Sequence, residues 1–306
     1  MSHEDRLTRG ATRRFSSVVP APPLRLVPPE QGGSAAPDAG AVRTDEITRV
    51  DAWGRSEQTR TIARRLYDPV YRYWFRAEWE GLEHIPIDGG ALLVANHGGA
   101  IPSDAPVIMH GIETELRRPV YGLAENLFRA IPVVGTLWSR AGGVAAHPDN
   151  AYRLLHDERQ LVLVFPEGTN GTGKLVGARY RLQRFGRGGF VEVAMRAGVP
   201  IVPIAVVGNE EAMPILWKSD RLARLLRLPY FPITANQFVF GPLLGYVVPL
   251  PAKFRIRALP PVRFDVPPER ARYDRAVVME ESERIRRAVQ AEVDDMLRNR
   301  RGVWRG

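Results

Sequence analysis

Short apolar runs alternate with amphipathic stretches through the middle of the chain, and the alternation predicts a sheet interleaved with helices. Ala91-Leu92-Leu93-Val94-Ala95, Pro119 to Leu123, Gly143-Val144-Ala145, Leu161-Val162-Leu163-Val164-Phe165 and Ile201 to Val207 read as strands. Helical patterns fall between them: from Ser103 or Asp104 onward, near Glu125 to Arg129, around Asp149 to Asp157, and from Phe190 to Ala197. Strands that are continuously apolar are covered on both faces, so the expected class is α/β, with a mixed, mostly parallel sheet flanked by helices. Sheets of this kind take ligands beyond the carboxyl ends of their strands.

The flanks read differently. Residues 1–55 carry clustered Pro, Gly and Ala without a sustained apolar period, which predicts a disordered leader and, lacking an apolar core, no secretory signal. The folded domain is expected at 56–301, opening with an amphipathic helix over 56–80 and closing with a charged helix over 268–301. Ser56 reads as the N-cap of the first, with Ile62, Leu66, Val70, Tyr73 and Trp74 near helical spacing and Arg60, Arg64, Arg65, Arg72 and Arg76 among them. A cationic helix with aromatics either lies on a membrane or packs on its own domain. The second helix carries Val277, Val278, Ile285, Val289, Val293 and Met296 as its inner stripe. Between Met213 and Ile256 the pattern loosens: Arg221, Arg224 and Arg227 recur among leucines, and prolines break the apolar stretch that follows. No run reaches the ~18 to 20 apolar residues of a spanning helix, which leaves an interfacial segment open.

Composition narrows the chemistry. The 306 residues include no Cys, which excludes a thiol nucleophile, a thiolate metal site and a redox pair. Lys and Arg total 43 against 34 acids, for a net charge of +9. That balance suits an anionic partner, whether nucleic acid, membrane surface or phosphorylated ligand, although Arg is spread along the whole chain as a compositional bias would spread it. Trp74, Trp79, Trp138 and Trp217 lie near basic residues, where both a bilayer interface and core packing account for them.

Two stretches carry candidate chemistry. In Asn96-His97-Gly98-Gly99-Ala100-Ile101-Pro102-Ser103-Asp104, a His sits at the end of a strand beside small residues, with an Asp close enough to orient it. That is the pattern of a general base and its partner; the alternative is a loop His beside a helix-capping Asp. In Phe165-Pro166-Glu167-Gly168-Thr169-Asn170-Gly171-Thr172-Gly173-Lys174, glycines follow another strand and lead into a basic stretch with Arg179, Arg181, Arg184 and Arg187. Such a loop suits phosphate, and Gly168, Gly173 and Lys174 even have P-loop spacing, but Leu175 stands where a metal-binding hydroxyl is required. His84, His110, His147 and His156 are not grouped with acids at metal-ligand spacing, so no metal is expected.

Taken together, the blocks Asn96-His97…Asp104, Gly142-Gly143-Val144 with Asn150-Ala151, Phe165 to Thr169, and Val199 to Ile204 resemble the glycerolipid acyltransferase superfamily, in its order, over roughly Leu92 to Gly208. The resemblance implies a fold like that of glycerol-3-phosphate acyltransferase and an acyltransferase domain at 56–301. It implies an acyl thioester donor, acyl-CoA or acyl-ACP as co-substrate with no further cofactor, and a lipid hydroxyl as acceptor. It also implies peripheral work at the cytoplasmic face of a membrane, without nucleic acid. In this pattern His97 deprotonates the hydroxyl and Asp104 holds the imidazole. Asn96, Gly98, Gly99, Arg140, Glu167, Gly168, Thr169, Asn170 and Lys174 are the expected substrate-binding residues. Backbone N–H groups near Gly98 or Gly168 are candidates for the oxyanion.

Three departures accompany the resemblance. Six residues, Gly98 to Ser103, separate His97 from Asp104 where the family has four. Ala146-His147-Pro148-Asp149 and Asn170 stand where phosphate-binding members carry Arg. An acceptor other than lysophosphatidate is therefore expected, unless Lys174 or Arg140 substitutes. The stretched spacing also motivates a catalytically silent lipid-binding relative, and the P-loop spacing a nucleotide hydrolase, as competing readings.

Overall fold

The structure is a computed structural model that describes residues 50–124, 132–226, 228–265 and 274–305, with backbone alone at 132–134. The leader over 1–49 and the helix expected near Glu125 to Arg129 lie outside the described residues. In chain order the elements are α1 (Glu57–Pro69), continued by a π-helical turn at Val70–Trp74, then β1 (Glu78–Glu80), β2 (Ala91–Ala95), α2 (Asp104–Glu115), β3 (Val120–Ala124), α3 (Pro132–Arg140) and β4 (Gly143–Ala145). Next come α4 (Pro148–Tyr152) with a π-helical turn at Arg153–Asp157, β5 (Leu161–Val164), α5 (Thr169–Thr172), α6 (Gly189–Ala197) and β6 (Ile201–Val207). The rest is α7 (Asn209–Ala212), β7 (Ile215–Lys218), α8 (Asp220–Leu226), β8 (Pro232–Thr234), α9 (Ala235–Phe240), β9 (Arg255–Ala258) and α10 (Arg275–Arg298).

Seven strands form one sheet in the order β1-β9-β6-β2-β5-β3-β4. Every neighbour pair is parallel except β6 with β9, which run antiparallel. The class is the mixed, mostly parallel α/β sheet that the apolar runs predict. Strand β2 lies at its centre, with Leu92 in register with Val162 of β5 on one side and Ile201 of β6 on the other. Its side chains alternate between two cores. Leu92 and Val94 pack with Val191 and Ala194 of α6 and with Ile285, Val289 and Val293 of α10, whereas Ala91, Leu93 and Ala95 pack with Val107, Ile108 and Ile112 of α2. Covering both faces buries all five β2 residues, and each large side chain so buried contributes about 1.5–3 kcal/mol. A second, two-stranded sheet, β7 with β8, belongs to the excursion between β6 and β9.

The amino-terminal flank departs from expectation in three ways. Residues 50–55 are packed: the Tyr121 hydroxyl donates to Asp51 at 2.6 Å, and the Trp53 indole donates to Glu158 at 2.7 Å. The helix read over 56–80 ends at Trp74, and Glu78–Glu80 instead becomes edge strand β1, paired with β9. The helix face is also turned from the one expected, although Val70 still packs against the core. Ile62, Leu66 and Tyr73 are exposed, while Arg60 is buried because its Nε donates to the buried Glu113 at 2.9 Å. An ion pair in the core outranks a hydrophobic stripe there, since leaving Glu113 unpaired in low dielectric costs more than exposing a leucine. Ser56 does cap α1, accepting from the Thr59 N–H at 3.3 Å.

At the other end the closing helix runs from Arg275, capped by Asp274, to Arg298, and residues 268–273 of the expected span lie outside the described residues. Val278, Ile285, Val289, Val293 and Met296 form its buried stripe. Sequence reading missed β9, whose Arg-Ile-Arg-Ala alternation buries Ile256 and Ala258. Of the tryptophans, Trp79 and Trp138 pack in or against the core, whereas Trp217 is exposed. No helix among the described residues is long and apolar enough to cross a membrane.

Candidate active site

Strands β6, β2 and β5 are adjacent and parallel, so their carboxyl ends open onto one rim, and the segment after each carries a polar group of the site. After β2 come Asn96 and His97, after β5 comes Glu167, and after β6 come Asn209 and Glu210. The His97 Nδ1 stands 2.9 Å from Asp104 Oδ2, with Asp104 fully buried and the imidazole 12% exposed. A carboxylate bonded to Nδ1 sets the tautomer that leaves Nε2 as the acceptor of a proton. The ring stacks on Phe165 at 4.1 Å between centroids and 20° between planes, which fixes its orientation from the β5 side. The stretched spacing therefore closes a His–Asp pair.

Asp104 is held from several directions. Its Oδ2 also accepts from the Gly98 N–H at 3.0 Å and from Asn209 Nδ2 at 3.2 Å, and its Oδ1 from the Ala105 N–H at 2.8 Å. The long loop from Gly98 to Ser103 folds against the chain that follows β6, with the Ala100 N–H donating to the Met213 carbonyl at 3.1 Å. Glycines make this approach possible. A Cβ on Gly98 would lie 2.2 Å from Glu210 Cγ, and Gly99 has φ +85° with the Asn209 carbonyl 2.8 Å from where its Cβ would be.

Beneath the pair lies a buried cluster. Glu167 accepts from the His97 N–H at 2.9 Å and from the Gln183 N–H at 2.7 Å, so its carboxylate ties the β2 loop to the segment after β5. Lys174, also buried, reaches Glu167 at 3.3 Å and Glu210 at 2.7 Å. Glu210 further accepts the Tyr180 N–H at 2.9 Å. Desolvation nevertheless pushes the Glu210 carboxyl up to about 7, against the opposing pull of Lys174. Glu211 beside it takes Arg300 through both guanidinium nitrogens at 2.7 and 2.8 Å, which docks the end of the chain onto the same turn.

Several expected substrate contacts are corrected by these bonds. Asn96 is wholly buried and spent on the β6 backbone, donating to the Val206 carbonyl at 3.0 Å and accepting its N–H at 2.7 Å. Lys174 is committed to two carboxylates and so neither cradles a nucleotide phosphate nor replaces a missing Arg. Glu167 is likewise buried and engaged, by the His97 and Gln183 N–H groups and by Lys174. The Gly98 N–H serves Asp104 and the Gly168 N–H serves the Phe165 carbonyl at 3.0 Å, so of the backbone N–H groups near these two glycines their own are already taken. Thr169 and Asn170 open α5 beside this turn, Asn170 being exposed. Arg140 ends α3, where its carbonyl accepts the Ser56 N–H at 3.1 Å, and none of the bonds of the His–Asp pair involves it.

The functional residue that sequence reading missed is Asn209. Its signal is the Gly-Asn-Glu-Glu run directly after the most regular strand of the chain, a cluster of polar groups at a carboxyl end. Among the described residues the other histidines have partners of their own: His84 the Ala258 carbonyl, His110 Asp68, His147 the Asp149 N–H, and His156 the Ala197 carbonyl.

Comparison with known proteins places this rim in context. Residues 76–207 match the family model described as Acyltransferase. An uncharacterized protein of Mycobacterium tuberculosis is 37% identical over 305 residues, spanning 99% of this chain and 83% of that one. The human DGAT1/2-independent enzyme synthesizing storage lipids is 28% identical over 236 residues, 77% of this chain and 66% of the relative. Among solved structures, the 1-acyl-sn-glycerophosphate acyltransferase PlsC of Thermotoga maritima aligns with a TM-score of 0.45 at 20% identity, covering 74% of this chain and 79% of that one.

Proposed function

The chain belongs to the acyltransferase family, and from that premise we propose that it moves a fatty acyl group from an acyl thioester to the hydroxyl of a lipid alcohol, with His97 as general base. The observation that carries this reading is the 2.9 Å bond between His97 Nδ1 and the fully buried Asp104. His97 Nε2 takes the proton of the acceptor hydroxyl as its oxygen attacks the thioester carbonyl. The tetrahedral adduct then collapses by breaking the carbon–sulfur bond, and the imidazolium returns its proton to the departing thiolate. Asp104 keeps the ring in the productive tautomer and offsets its positive charge while it is protonated. With no Cys in the chain, direct transfer needs no thiol-bound intermediate.

The acceptor we infer lacks a phosphate monoester. Two guanidinium positions are filled by Ala146-His147-Pro148-Asp149 and Asn170, and the nearby Lys174 is internally paired. A dianion drawn into a partly desolvated site without a cation would cost several kcal/mol. A diacylglycerol, glycolipid or similar lipid alcohol fits better, and the human relative is itself named for storage lipids. The donor is acyl-CoA or acyl-ACP, and the protein works peripherally at the cytoplasmic face of a membrane. Product identification by mass spectrometry tests this, after incubating the chain with either donor and a panel of lipid alcohols that includes lysophosphatidate. An acylated neutral or glycosyl lipid is expected; preferential phosphatidate formation defeats the acceptor assignment, and unimpaired transfer by His97→Ala defeats the mechanism.

A further inference from the structure

The chain over 213–251 makes the excursion between β6 and β9, and its exposed side chains are apolar and cationic at once. Trp217, Leu225, Phe238, Leu243 and Val247 are between 68% and 82% exposed. Single exposed leucines are ordinary on a folded surface, but this many large apolar side chains within one short excursion make a patch that wants a partner. Over the same residues the chain carries Lys218, Arg221, Arg224 and Arg227 with a single acid, Asp220, and both Arg221 and Arg224 are exposed on α8 among its leucines.

The inner side is fastened to the catalytic rim. Met213 accepts the Ala100 N–H of the His–Asp loop, and the Tyr230 hydroxyl lies 2.6 Å from Thr172 Oγ1 in the turn after Glu167. Asn236 donates to the Ala212 and Val248 carbonyls, each at 2.9 Å, and the Trp74 indole donates to the Pro249 carbonyl at 3.0 Å. The excursion is thus held on the two loops that carry His97 and Glu167.

We propose that this excursion is the docking face of the protein and that its partner is an anionic lipid bilayer. The inference rests on the acyl-transfer reading, in which the acceptor comes from a bilayer, and adds where the bilayer sits. Apolar side chains entering the acyl region beside guanidinium groups at headgroup level match a charged interface in both respects. The alternative occupant, a second copy joined through the same face about a two-fold axis, sets this cationic patch against itself. Docking here brings the mouth beside His97 to the membrane, so an acceptor presents its hydroxyl without its chains crossing water.

Co-sedimentation of the full chain with phosphatidylcholine vesicles, with and without phosphatidylglycerol, tests the proposal. The wild-type chain is expected to prefer the anionic vesicles in a salt-sensitive manner. Leu225→Asp combined with Phe238→Asp is expected to lower partition by more than about tenfold, and Arg221→Ser and Arg224→Ser by about fivefold each on anionic vesicles only. Ile87→Asp, a change at an exposed residue ahead of the amino end of β2, is expected to leave partition unchanged. Undiminished partition of the double aspartate variant overturns the proposal. So does a shift of that variant from dimer to monomer on sizing while vesicle binding persists, which assigns the face to a second copy. If the wild-type chain binds vesicles through this face yet acylates no acceptor, the catalytic reading fails and the docking face stands.

Discussion

Asn209 Nδ2 donates at 3.2 Å to the same Asp104 oxygen that receives the His97 ring. The imidazole, the carboxylate it meets and the amide that steadies that carboxylate thus come from three segments, after β2, at the start of α2, and after β6. Asn209→Ala removes a bond to a buried carboxylate, worth about 1.5–3 kcal/mol. We expect kcat to fall by about tenfold or more with the acceptor KM little changed, which steady-state kinetics on a folded variant will show.

His97→Ala removes the proposed base and is expected to lower kcat/KM by about 10²–10⁴. Asp104→Asn preserves shape but substitutes an amide for the carboxylate that fixes the tautomer, and a loss of similar order, up to about 10⁴, is expected. Initial rates with saturating thioester measure both.

Gly98→Ala places a Cβ 2.2 Å from Glu210 Cγ, where the glutamate is buried and tied to Lys174 and Tyr180. Overpacking of this kind costs about 1–3 kcal/mol. The urea midpoint is expected to drop, and activity to fall further than stability, because the Gly98 N–H also holds Asp104.

Lys174→Met leaves Glu167 and Glu210 buried without their shared cation. Breaking a buried pair by deleting one partner costs about 3–5 kcal/mol. A large loss of denaturant resistance is expected, with an unchanged acceptor KM in whatever fraction stays folded. A raised KM with full stability would instead mark Lys174 as a substrate ligand.

Glu210 makes stability depend on pH. Its carboxyl rises from the usual 4.5 to about 7 on folding, so between those values the folded chain holds more protons there than the unfolded one, and stability falls as pH rises through the window. His110, lowered by burial, acts in the opposite sense as pH approaches 6.5 from below. Comparing wild type with Glu210→Gln isolates the first effect. Denaturant midpoints across the window are expected to decline less steeply, or to rise, in the variant.

Much of the fold was legible because burial on both faces leaves a plain trace. Leu92 to Val94, Leu161 to Val164 and Ile201 to Val207 are apolar at every position, and all are sheet strands. Strands at and beside the edge leave less: edge strand Glu78-Trp79-Glu80 and its neighbour Arg255 to Ala258 alternate or carry charge, and β1 joins the sheet only by finding β9 across 175 residues of chain. The face of α1 was misread for a related reason. Ile62 and Leu66 have helical spacing, but the direction they point was decided by Glu113, far along the chain, which draws Arg60 inward.

By itself the sequence determined the central strands, the His and Asp at the mouth of β2, and the absence of a thiol, since these follow from residue identity and short-range order. Only the tertiary structure decided whether a six-residue gap could close, and which polar groups were already taken. Lys174, Glu167 and Asn96 look like ligands along the chain and prove to be bonded to one another or to the backbone of β6. The physical reason is that a buried donor or acceptor must find a partner, and in a parallel sheet that partner comes from a neighbouring strand far away in sequence.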